Sequence, residues 1–121
     1  MAKLTVEMAD TPAALAHGLM FRKELEPNAG MLFKFPNITE ARFWGKNTYI
    51  PLDVAFIDKE NKITGIRQIT PMSTRMIPSD GLCAMALEAN AGFFNSNNIK
   101  PGHKIKLTGQ TVEFNVENNS S

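Results

Sequence analysis

Phe43-Trp-Gly-Lys-Asn-Thr-Tyr-Ile-Pro-Leu-Asp-Val-Ala-Phe-Ile-Asp58 is the stretch on which the fold turns. Its second half, Val54 to Ile57, is the most apolar run of the chain and is bounded by turn-forming residues. A short apolar run of that kind predicts a strand buried on both faces. Its first half holds the only Trp and the only Tyr, Trp44 and Tyr49, with Lys46 and Asn47 between them. Pro51 then restricts the approach to the strand, and Asp53 sits at its start. A rigid core strand is therefore expected to carry a polar cluster at its N-terminal end.

Working outward, Leu4, Val6 and Met8 alternate with polar residues, the period of a half-buried strand. Thr11 and Pro12 read as N-cap and first residue of a helix running to about Leu19. Residues 21–30 form a loop. Met31, Phe33 and Phe35 predict a strand that Pro36 and Asn37 should end, and Phe43 and Trp44 open another extended stretch. Beyond the core strand, Lys59-Glu60-Asn61 reads as a hairpin turn, with a returning strand from Lys62 to Thr70. Pro71–Gly81 is expected to be a long surface loop. Cys83, Met85 and Leu87 alternate with Ala84, Ala86 and Glu88 in a buried strand. Asn90 is expected to cap a short helix holding Phe93 and Phe94, with Asn98 as its left-handed stop. Ile105 and Leu107 pair with Phe114 and Val112 across Gly109-Gln110, which sets Lys106 opposite Glu113.

These elements predict one mainly β domain (α+β) over residues 1–121, with its core at about 3–116 and a polar, frayed tail at 117–121. About seven strands and two short helices suit a small partly closed barrel or folded sheet, which hides strand edges. Phe33, Phe56, Met85, Leu87 and Leu107 are the expected core.

Composition narrows the function. The net charge is +1, with Lys and Arg dispersed, so there is no electrostatic case for nucleic acid. One cysteine, Cys83, allows no internal disulfide and reads as a small buried hydrophobe rather than a Cys/His nucleophile. His17 and His103 make no metal motif, and the scattered glycines make no phosphate loop. No cofactor is implied. No run is apolar enough to span a membrane and no apolar leader opens the chain, which points to the cytoplasm for the chain as given.

By their order and spacing, Gly18-Leu19-Met20 with Arg22, Gly30-Met31-Leu32-Phe33, Phe43-Trp44 with Lys46-Asn47-Thr48, Ile50-Pro51-Leu52-Asp53 and Ala86-Leu87-Glu88 with Gly92 resemble the DUF192 family. The resemblance spans roughly residues 10–107. It implies a small, mostly β fold of bacteria and archaea, often behind a secretion signal, and brings no catalytic residues. Two positions depart from the family pattern. Gly45 stands where a Met is usual, leaving room for a dent beside Trp44, and His103 stands where an Asp is usual.

Arg22, Trp44, Lys46, Asn47 and Asp53 form the candidate ligand site. Trp44 would be a flat apolar wall, Asn47 a donor and acceptor, Lys46 a cation and Asp53 a carboxylate. Arg22 would clamp an anionic group, or else pair with a structural carboxylate such as Asp53 or Glu88. In the plain structural reading, Trp44 is core, Asn47 holds a turn and Asp53 holds backbone N–H groups. The expected function is a non-enzymatic binding module for a polar small molecule or a protein segment. Two alternatives are a hydrolase using Asp53 and Glu88, and a protein–protein adaptor presenting Met72, Met76 and Ile77.

Overall fold

In the computed structural model, which describes residues 2–116, the chain forms one seven-stranded mixed sheet curled into a half-barrel, with two short helices. The tail at 117–121 lies outside the described residues. The strands are β1 (Lys3–Ala9), β2 (Ala29–Phe43), β3 (Leu52–Ile57), β4 (Ile63–Ile69), β5 (Ile77–Asn90), β6 (Lys104–Thr108) and β7 (Thr111–Asn115). Helix α1 (Pro12–His17) follows β1, and α2 (Phe93–Ser96) follows β5. Across the sheet the order is β4-β3-β5-β2-β1-β7-β6. Only β1 and β2 run parallel, and their connection carries α1 over one face of the sheet.

The edge strands β4 and β6 meet at one end. Ile63 N–H donates to the His103 carbonyl and Ile105 N–H to the Asn61 carbonyl, each at 2.9 Å. These bonds bring the two edges together at that end, an arrangement that hides part of both.

Local chemistry sets most boundaries where expected. Thr11 Oγ1 accepts from Ala14 N–H at 3.1 Å, as an N-cap does. Gly18 ends α1 one residue before Leu19. At the second hairpin Lys106 lies opposite Glu113 and Ile105 opposite Phe114, although Glu113 makes its ion pair with Lys3.

Three expectations are corrected. First, β2 does not stop at Pro36-Asn37 but continues to Phe43. Pro36 falls inside a register break between Lys34 and Thr39, where a missing N–H costs no ladder bond. Second, the loop expected at Pro71–Gly81 ends early, because β5 begins at Ile77, paired with Phe43. Third, Asn90 does not cap α2. Gly92 holds that position, and Asn90 Nδ2 donates to the carbonyls of Leu25 and Glu26, at 2.9 and 3.1 Å.

Both faces of the sheet are packed. On the inner face Leu4, Val6, Leu32, Ala55, Ile57 and Leu87 gather around Phe93, Phe94 and Phe114. On the outer face Met31, Phe33, Leu52, Val54 and Phe56 pack under Leu19 and beside Phe43. Strand β3 supplies both, which confirms its expected two-sided burial. Phe33, Phe56 and Leu87 are enclosed as expected, while Met85 and Leu107 only flank the inner cluster. Leu107 lies on edge strand β6, where one side has no neighbouring strand.

Candidate functional site

The segment between β2 and β3 is pinned from two sides. Gly45 N–H donates to the Ser73 carbonyl at 2.9 Å, and Met72 N–H donates to the Thr48 carbonyl at 3.0 Å. On the other side Phe21 N–H donates to the Asn47 carbonyl at 2.8 Å, tying the exit of α1 to the same segment. Gly45 leaves no dent. A Cβ there would lie 1.9 Å from the Thr70 carbonyl oxygen, so the glycine permits a close backbone approach.

Between α1, the far half of β2 and this pinned segment lies a cavity of about 500 Å³. Leu15, Leu19, Phe33 and Phe43 supply apolar walls, Trp44, Lys46 and Asn47 the rim, and Glu88 the floor. Trp44 is 37% exposed, so it is neither core nor free in solvent. Lys46 Nζ lies 5.2 Å from the centre of its ring, within cation–π range. Thr48 Oγ1 donates to the Lys46 carbonyl and steadies the turn.

Of the five expected site residues, the fold brings Trp44, Lys46 and Asn47 together on the cavity and leaves Arg22 and Asp53 outside it. Arg22 pairs with a carboxylate, as the structural reading allowed, but the partner is Glu7 on β1. Both terminal guanidinium nitrogens donate to it, Nη1 to Oε2 and Nη2 to Oε1, the latter at 2.6 Å. Hydrogen bonding to Arg22 holds the Glu7 carboxyl below its ordinary pKa, and Glu7 in turn raises that of Arg22.

Asp53 does not reach Arg22, Lys46, Asn47 or the 46–50 backbone. It accepts a hydrogen bond from Gly92 N–H at 2.8 Å and so anchors the start of α2. The cause is strand alternation: Asp53 points to the inner side with Ala55 and Ile57, away from the cavity. The same alternation removes the expected carboxylate pair. Asp53 lies opposite Ala89 and Glu88 opposite Val54, so the two acids face opposite sides of the sheet and cannot flank one bond.

Glu88 stands apart from the other acids. It is 5% exposed, and no hydrogen bond or ion pair reaches its side chain among the described residues. Burial pushes its pKa up to about 8. The sequence holds a signal for it, a lone carboxylate within the otherwise apolar run Leu82 to Ala89. Its position on the cavity floor depends on strand order, which local pattern does not supply.

Met72 and Met76 are exposed, at 55% and 48%, but Ile77 is buried in β5 and leaves the expected adaptor patch. Cys83 is buried, and burial raises its pKa. His103 Nδ1 accepts from Lys100 N–H at 3.0 Å and closes the turn before β6. Among the described residues, no cluster of His, Cys, Asp and Glu could hold a metal ion, and no helix is long and apolar enough to cross a membrane.

Fold and cavity together define a small half-barrel domain with a pocket on its outer face. The chain belongs to the DUF192 family, described as an uncharacterized ACR, whose model matches residues 1–107. Two solved structures are similar. One, from Sinorhizobium meliloti 1021, is provisionally described as a transcription regulator; it is 37% identical, with a TM-score of 0.82, over 92% of this chain and 81% of that one. The other, a protein of unknown function from Novosphingobium aromaticivorans, is 36% identical, with a TM-score of 0.83, over 86% of this chain and 75% of that one. No curated protein matches.

Proposed function

We propose that this domain binds a small amphipathic molecule in the cavity between α1, β2 and the Trp44–Thr48 segment. One observation carries the reading: a buried carboxyl without a protein partner forms the floor of an apolar cavity whose rim holds Trp44, Lys46 and Asn47. Burying a polar group unpaired costs stability, and leucine would fill that position at no such cost. Unfavourable groups of this kind cluster at functional sites. The volume lies within the usual range for ligand pockets. Ligand sensing would fit a regulatory role like that ascribed to the Sinorhizobium relative.

A protein segment is the second reading. It draws on the exposed side chains of Phe21, Tyr49 and Met72 beside the rim.

A fragment screen by protein-observed NMR tests both. Binders should shift the Trp44 indole and the Asn47 amide, and Trp44→Ala should weaken them. Shifts confined to Phe21, Tyr49 and Met72 would favour the second reading, and no response at the rim from any fragment would end the first.

A further inference from the structure

Three polar side chains are buried among the described residues: Thr48, Ser79 and Glu88. The first two are satisfied. Thr48 donates to the Lys46 carbonyl, while Ser79 accepts from Ala41 N–H and donates to the Gly81 carbonyl. Glu88 is not satisfied, and the surroundings of this acid define the chemistry that would complete it.

Sheet register places Glu88 in a row across the outer face that reads Glu7, Met31, Glu88, Val54, Arg67. Its immediate neighbours, Met31 and Val54, are apolar. The charges one strand further out already have partners: Glu7 pairs with Arg22, and Arg67 with Asp80 at 2.9 Å. The other titratable groups on the cavity walls are His17 on α1, Arg42 on β2 and Lys46 on the rim, all basic types and all exposed. No second carboxylate lines the cavity. A lone carboxyl buried this way favours its protonated form, because the ionised form would lose most of its hydration and gain no charged partner. As an acid it offers one O–H donor and one carbonyl acceptor.

We propose that the deep end of the cavity selects an uncharged, carbonyl-bearing group, which receives a hydrogen bond from the Glu88 carboxylic acid, and that it discriminates against cations. The inference rests on the cavity being a ligand site and specifies what that site takes. A cation would enter past Lys46 and Arg42 and would require Glu88 to ionise. A carboxamide or similar carbonyl meets the O–H directly and can return an N–H to the acid's own carbonyl. A carboxyl kept neutral in an apolar pocket is an established way to build a hydrogen-bond donor.

Benzamide and benzamidine provide the test, being nearly isosteric but neutral and cationic respectively. Dissociation constants for both are measured on wild type and Glu88→Gln by NMR titration from neutral to alkaline pH, with Trp44 and Asn47 as reporters. Benzamide should bind wild type at least about tenfold more tightly than benzamidine at neutral pH. Its affinity should fall by about tenfold per pH unit above the Glu88 pKa, because only the acid form binds. Glu88→Gln, which keeps a donor and an acceptor, should retain benzamide and lose that alkaline fall. Tighter binding of benzamidine, strengthening as pH rises, would overturn this inference and leave the cavity as a ligand site. Failure of both compounds to shift the rim at tens of millimolar would overturn the cavity reading, and this inference with it.

Discussion

Asp53 and Glu88 are near neighbours on adjacent strands, Asp53 opposite Ala89 and Val54 opposite Glu88, yet they face opposite sides of the sheet. On the inner side Asp53 is half-buried and takes the Gly92 N–H, which fixes the turn into α2. On the outer side the Glu88 carboxyl is enclosed and takes no hydrogen bond from the protein. The inner face is closed by three mutually packed rings, Phe93, Phe94 and Phe114. The outer face is covered by a short helix and a folded-back strand that leave a cavity. The same residue class thus serves as a structural anchor on the filled side and as an unsatisfied group on the open one.

The largest expected contrast lies in the rings. Phe114→Ala on the inner face should cost about 3–5 kcal/mol, the usual sum of transfer and cavity terms. Phe33→Ala should cost less, because that ring already borders the cavity and loses fewer contacts. Urea melts of both variants measure the difference, and equal costs would mean that the outer face is as tightly filled as the inner.

The next contrast is in pH dependence. Unfolded, Glu88 has its ordinary value of 4.5; in the folded state burial pushes it up to about 8. Between those values the folded state holds the extra proton, so stability falls as pH rises, by roughly 1.4 kcal/mol per pH unit. Below the unfolded value both states are protonated and Glu88 adds no pH dependence. Glu88→Gln should therefore gain stability over wild type across this window, by an amount growing to the order of 3 kcal/mol by about pH 7. Glu7 has the opposite sign, since its lowered pKa adds stability above the unfolded value that is lost on acidification. Its exposure to solvent keeps that contribution small. Parallel pH profiles for wild type and Glu88→Gln would refute the contrast.

The smallest expected effect is at Asp53. Asp53→Ala leaves the Gly92 N–H to solvent and should cost about 1–2 kcal/mol. It should leave ligand affinity at the outer cavity unchanged. A thermal melt and a binding titration on the same variant check both, and a loss of binding without a loss of stability would return Asp53 to the site.

Much of this contrast can be traced to the sequence. The unbroken apolar run Val54–Ile57 marks a strand with a core on each side, because such a run leaves no face for water. Alternation alone assigns Asp53 to the face of Ala55 and Ile57. Trp44, Lys46 and Asn47 cluster because a short pinned segment has little freedom to separate them. The remainder depends on long-range pairing. Arg22 meets Glu7 fifteen residues back on β1, a pairing that local pattern does not supply, and Glu88 meets the cavity only because β5 sits centrally between β3 and β2. Pro36 is a reliable strand breaker locally, but a bulge in β2 itself, between Lys34 and Thr39, absorbs it. Gly45 suggests a dent until the Thr70 carbonyl is found in that space.

The most direct test of the contrast is the titration of Glu88 itself. Carboxyl ¹³C shifts of the glutamates, with Glu88 assigned through Glu88→Gln, follow each acid from acidic to alkaline pH. The expected result is a Glu88 midpoint of about 8, with Glu7 below its ordinary 4.5. A Glu88 midpoint at the ordinary carboxylate value would show a solvated or paired ion, and would contradict a neutral acid on the cavity floor.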